Sequence, residues 1–189
     1  ALAGMIDTFM ISGLGPSAVA AVGLTTQPKF LAFTIFFAIT SAISALVARR
    51  QGEENRLKAN QTLVTALIIS IIFAILITVI MIFFTDPILK FAGSAEDTHQ
   101  MAKDYFIVIM LGNIFNAIAW SINAAHRGAG DTHTAFITNV VASIVNIIFN
   151  YLLIQGNFGF PAMGAKGAAL ATVLGTVAET IMCIKSLTK

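Results

Sequence analysis

Long apolar intervals alternate with short polar stretches along the chain, and the interval lengths predict helices that cross a bilayer. The first interval, Ala1–Ser12, is too short to span and is read as a helix entered part-way. Gly13-Leu14-Gly15-Pro16 ends it and starts the next helix. The second runs from about Ser17 to Ala48, with a bend expected at Pro28. The third covers about Ala59–Phe84 and is uninterruptedly apolar from Ala66 to Ile77 apart from Ser70. A short polar connection follows, from Asp86-Pro87 to Gln100. The fourth span is placed at about Met101–Ala125, the fifth at Thr132–Ile154 and the sixth at Met163–Leu187. His126-Arg127-Gly128-Ala129-Gly130-Asp131 reads as a tight helix stop, with Asp131 capping the helix after it. The fold class is therefore all-α: a polytopic transmembrane bundle of five full spans plus the end of a first helix, in one domain over residues 1–189.

Composition agrees with that pattern. Of 189 residues, 57% are hydrophobic and 11% charged, against about a quarter charged in soluble domains. Mean hydropathy is +0.87. A net charge of +2, dispersed along the chain, gives no reason to expect a nucleic-acid partner. The block from Arg49 to Lys58 falls on one side of the spans with Arg127, Lys185 and Lys189; Lys90 and Lys166 fall on the other. The positive-inside rule puts the first group in the cytoplasm, and with it the chain's N-terminal side, in an inner (plasma) membrane. The single cysteine, Cys183, has no intrachain partner, and no nucleophile–base pair, Walker loop or metal-ligand spacing is present, so an enzyme is not expected.

Candidate chemistry then lies in polar side chains set where insertion is costly. Asp7 lies in the first helical segment, either as a functional carboxylate or as a helix-end acid reaching headgroup water. Asn139, Ser143, Asn146 and Asn150 recur at steps of four, three and four, on one face of the fifth span. Asn113, Asn116, Trp120 and Asn123 make a second stripe on the fourth, with Tyr105 two turns earlier on nearly the same face. Such stripes either glue helices together or line a cavity; two of them plus an aromatic favour the cavity. Thr172, Thr176 and Glu179 share a face of the sixth span, and Gly167, Ala171 and Gly175 form a small-residue seam for close packing. Glu179, six residues before Lys185, is expected at the interface, and Lys29 is expected to snorkel to the outer surface.

A set of local motifs goes further. Ile6-Asp7-Thr8, Ser12-Gly13-Leu14-Gly15, Ala20-Ala21-Val22-Gly23-Leu24 and Ala45-Leu46-Val47-Ala48-Arg49 occur in order. Arg127-Gly128-Ala129-Gly130-Asp131-Thr132, Asn146-Ile147-Ile148-Phe149-Asn150-Tyr151 and Gly167-Ala168-Ala169-Leu170-Ala171-Thr172 follow them. Together they resemble the N-terminal six-helix half of the multidrug and toxin extrusion (MATE) transporters. The resemblance implies a lobe whose C-terminal counterpart belongs to the same polypeptide. It implies alternating access, with small organic cations or xenobiotics exported in exchange for H⁺ or Na⁺ and no other cofactor. It also implies roles for Asp7 and Asn146 in cation coupling, with Tyr105, Asn123 and Thr172 as further lining positions. Taken with the stripes, the coupling set is Asp7, Asn146, Asn150 and Thr172, and Tyr105, Asn113, Asn116, Trp120, Asn123, Asn139 and Ser143 surround the substrate cavity. Some members carry a second aspartate where this chain has Asn150, which leaves Asp7 to balance an ion alone. That departure favours H⁺, with Na⁺ at Asp7, Asn146 and Asn150 still open. Other readings are a lipid-linked oligosaccharide flippase of the same superfamily and a non-transporting membrane scaffold.

Overall fold

The computed structural model describes residues 8–188, so Asp7 lies outside the described residues. Residues 8–12 are helical (α1), and Gly15, at φ 104°, makes the left-handed turn into α2 (Pro16–Leu24). α3 (Thr26–Gly52) continues α2 after a break at Thr25, so the two together cover the predicted second span. The break falls three residues ahead of Pro28, the position expected to bend. Pro28 lies in the first turn of α3, where its missing N–H leaves no helical hydrogen bond unmade.

At the end that carries Arg49 and Arg50, Glu53 accepts from both, at 3.0 and 2.8 Å, and Asn55 caps α4 (Arg56–Phe83) by accepting from the Lys58 amide. α4 is apolar almost all round and exposes Ile68, Ile72, Leu76, Val79 and Phe83, the surface a lipid-facing helix needs. The predicted polar connection after it contains a short helix, α5 (Thr85–Phe91), and the first turn of α6 (Glu96–Leu111). The polar residues there suggested a loop, but they are the acidic first turn of a helix, in Glu96 and Asp97. Asp86 ties α5 to α6 by accepting from Lys103 Nζ at 2.8 Å and lying 3.1 Å from His99 Nε2.

The predicted fourth span is two helices. α6 meets α7 (Asn113–Gly128) at Gly112 with a bend of 46°. A Cβ at Gly112 would come 2.5 Å from Val173 Cγ2, so only glycine lets the last helix pass so close to the bend. The Thr78 hydroxyl of α4 donates to the Met110 carbonyl two residues before it, a side-chain donor serving backbone where no water is at hand. Asp131 then caps α8 (Thr132–Leu153) by accepting from the Thr134 amide, as its position in the sequence implied. A 3₁₀ turn, η1 (Asn157–Gly159), leads to α9 (Gly164–Ser186).

Among the described residues, four helical segments are long and apolar enough to cross a membrane, five with the bent α6–α7 pair. The core gathers Phe36, Ala74, Tyr105, Phe106, Met110 and Ala169 from four different helices. α8 and α9 make the most extensive pairing in the bundle. Their contact is the small-residue seam: a Cβ at Gly167 would lie 2.5 Å from the Leu153 carbonyl, and one at Gly175 2.7 Å from that of Ala142.

Candidate functional site

The seam lets two polar faces meet. On α8, Asn139, Ser143 and Asn146 point to the same side; on α9, Thr172, Thr176 and Glu179 oppose them around a cleft of 180 Å³. At one end Asn146 Nδ2 donates to Thr172 Oγ1 at 3.2 Å, and Asn150 Nδ2 donates to Asn146 Oδ1 at 3.2 Å. Asn146 is 6% exposed and Asn150 fully buried, so this end is closed off from lipid. Asn139 and Ser143 bond back to their own helix, at the Ala135 and Asn139 carbonyls, and leave the middle of the cleft open.

At the other end the structure corrects the sequence reading. Glu179, expected at the interface, is turned into the bundle at 5% exposure, with Oε1 accepting from Asn123 Nδ2 at 2.7 Å. Asn123 Oδ1 in turn has the Thr138 hydroxyl at 3.0 Å and Cys183 Sγ at 3.4 Å. α7, α8 and α9 therefore share one polar node, and the cleft runs from it to the Asn146–Thr172 pair. Sequence reasoning missed Glu179 by weighing its distance from Lys185 above its register with Thr172 and Thr176. It missed Thr138 because that residue lies one position off the stripe it serves.

The fourth-span stripe does not stay together, because the bend and the central position of α7 send its members to different neighbours. Asn113 is fully buried with Nδ2 3.4 Å from Thr78 Oγ1 on α4, and its Oδ1 has no partner among the described residues. Asn116 is half-buried. Trp120 is packed by three phenylalanines of α3, edge-on to Phe33 and Phe36 and stacked on Phe37 at 5.5 Å between centroids. Only Asn123 reaches the cleft helices. Tyr105, 5% exposed, has Lys29 Nζ 5.4 Å above its ring. Lys29 thus lies inward, against an aromatic face that attracts a cation, and not at the outer surface as expected.

Outside the spans, Asp86 is held below the usual carboxylate range by its hydrogen bonds from Lys103 and His99, and Asp131 by those from Thr134. These belong to the loops and take no part in the cleft.

This arrangement of helical spans has counterparts among known proteins. A family model described as MatE matches residues 1–152. The chain belongs to the MATE family. Curated relatives include the probable multidrug resistance protein YoeA of Bacillus subtilis, 31% identical over 93% of this chain and 38% of that protein. The probable multidrug resistance protein NorM of Thermotoga maritima is 32% identical over 92% and 37% respectively. A FAD transporter of Shewanella oneidensis is 28% identical over 89% and 37%. This chain therefore spans less than two fifths of the length of these relatives. Among solved structures, a crystal structure of MATE in the bent conformation matches with a TM-score of 0.88 and 30% identity, over 98% of this chain and 41% of that one. An inward-facing multidrug resistance MATE family transporter of the MOP superfamily matches with a TM-score of 0.89, 28% identity and 98% and 41% coverage. MATE proteins are multi-pass membrane transporters and not enzymes, in keeping with both the helical spans and the absence of an enzyme motif in the sequence.

Proposed function

We propose that this chain is the N-terminal lobe of a secondary exporter that expels organic cations in exchange for H⁺ or Na⁺, with Asp7, Asn146, Asn150 and Thr172 as its coupling site. The observation that carries the proposal is the closed end of the cleft. Two amides and a hydroxyl, bonded to one another and shielded from lipid, occur together between the two most closely packed helices. Polar groups are kept at such depth where an ion or a substrate must be received. Asp7 supplies the charge and the amide and hydroxyl oxygens supply the rest of the shell. Neutralising Asp7 lets the first helix move against α8, which narrows one opening of the lobe and widens the other. A charge falling through 100 mV yields about 2.3 kcal/mol, enough to drive such a shift. The Arg49–Lys58 end of the bundle faces the cytoplasm in this reading, in a plasma membrane.

The test is Asp7→Asn in the complete transporter, with efflux of a fluorescent cation from vesicles and proton and sodium gradients imposed separately. Gradient-driven efflux should vanish, and the gradient that drives the wild type names the ion. Efflux unchanged by the substitution sinks the proposal.

A second reading has one observation behind it. Lys29 above Tyr105 pairs a cation with an aromatic surface, the chemistry an anionic flavin would meet, and one relative is named a FAD transporter. FAD fluorescence in the same vesicles separates the two substrates.

A further inference from the structure

α9 buries a carboxylate that the coupling site above does not use. Glu179 lies two turns along α9 from Thr172 and lines the far end of the same cleft. It accepts one hydrogen bond, from Asn123 Nδ2, and among the described residues no Lys, Arg or His is in ion-pair contact with it. α7 presents Asn123 and, one turn on, the exposed Arg127, whose charge reaches Glu179 without contact. α9 itself adds Cys183, on the far side of the Asn123 amide. α8 presents Thr138, Asn139 and Ala142, with no ionisable side chain. A carboxylate at 5% exposure with one amide donor and no cation in contact with it is a costly state unless a cation joins it.

Geometry says where that cation would come. Asn123 holds Oε1, and Oε2 makes no hydrogen bond among the described residues. The cleft beside it leads past Asn139 and Ser143 to Asn146 and Thr172, with oxygen or nitrogen on both walls. We propose that Glu179 is a second cation-exchanging carboxylate, which binds a proton or a sodium ion at Oε2 and gives it up in step with the site at Asn146. The step is a simple exchange: the carboxylate gains H⁺ to become the neutral acid, or gains Na⁺ to become a neutral ion pair, and releases the same cation. The end of the cleft at Glu179 lies towards Arg127 and Ser186, opposite the Lys29 end of the bundle. This inference rests on the cation-coupled reading above.

The experiment uses the complete transporter in membrane vesicles and a hydrophobic carbodiimide, which attaches to protonated carboxyls in apolar surroundings; mass spectrometry maps the label. Glu179 should be labelled at low pH, and the label should fall as pH rises for a proton site, or on adding NaCl at constant pH for a sodium site. A label at Glu179 indifferent to both, or none at any pH, overturns the proposal without any variant having to fold. Asn123→Ala should move the pH midpoint of labelling, a change that a merely packing role would not produce. Glu179→Gln should still bind the fluorescent cation while moving fewer coupling ions per substrate; an unchanged ratio also overturns it. The two readings fail separately. Unaltered efflux in Asp7→Asn removes the coupling site, whereas lost efflux in Asp7→Asn with pH- and Na⁺-blind labelling removes Glu179 alone.

Discussion

Where α4 meets α7, polar side chains pair across an apolar seam; where α8 meets α9, they line open space. Ser121 Oγ donates to Ser70 Oγ at 2.9 Å, both fully buried, and Thr78 serves the Met110 carbonyl with Asn113 beside it. These side chains are all buried, and they do what hydroxyls and amides commonly do between membrane helices. Across α8 and α9 the same residue types are spaced by glycines that bring the backbones close at Leu153 and Ala142, yet the side chains between them enclose 180 Å³. Composition alone does not separate glue from lining. The difference is whether the helices close on the polar atoms or beside them.

Four measurements would break or sharpen that contrast, taken from the largest expected effect down. Asn146→Leu removes a donor and an acceptor from the cleft and should lower gradient-driven efflux by roughly tenfold to a hundredfold, the equivalent of about 1.5–3 kcal/mol for a contact to a charged group. Asn113→Leu, on the closed side, should leave efflux intact in the same vesicles. Equal losses from the two would erase the distinction.

Closing the seam comes next. Gly167→Ala and Gly175→Ala put a methyl 2.5 and 2.7 Å from backbone carbonyls, and each should destabilise by about 1–3 kcal/mol in thermal unfolding in detergent. Gly23→Ala, whose added carbon meets nothing within 4 Å, is the matched control. A smaller effect belongs to the hydroxyl pair. A double-mutant cycle of Ser70→Ala with Ser121→Ala should give a coupling of about 0.6 kcal/mol, the usual worth of such a contact between membrane helices.

The smallest lies outside the spans, where neither kind of interface operates. Hydrogen bonds from Lys103 and His99 hold Asp86 below the usual carboxylate range. Its share of stability is therefore present above the unfolded carboxyl pKa, about 3.9, and is lost as pH falls through the lower folded value. Amide exchange across residues 85–103 should quicken only below about pH 4, and Asp86→Asn should quicken it at neutral pH and remove that dependence. Asp86 is about half exposed, so salt should mute the effect.

Much of this was legible in the chain. α4, α8 and α9 lie within a few residues of the apolar intervals that predict them, because a lipid-crossing helix leaves a long and strong signal. The α8 stripe was visible by its register, and three of its four members reach the cleft. The 46° bend was not: a lone Gly112 in an apolar run resembles any other glycine until Val173 is known to lie against it. For the same reason one stripe on α7 became contacts with four different helices. Lys29 and Glu179 were misplaced because sequence distance to a helix end measures depth only for a side chain with no inward partner, and Tyr105 and Asn123 are such partners.

The polar node where α7, α8 and α9 meet also bears on how the protein is made. Ser121 and Asn113 find Ser70 and Thr78 on a helix already synthesised, but the carboxyl that receives the Asn123 amide is translated 56 residues later. Until α9 leaves the ribosome, α7 must wait in the bilayer, or in the insertion machinery, with that amide lacking its acceptor. The arrival of α9 thus completes the node, and a nascent chain arrested before residue 179 should remain in reach of the quality-control proteases that patrol the membrane.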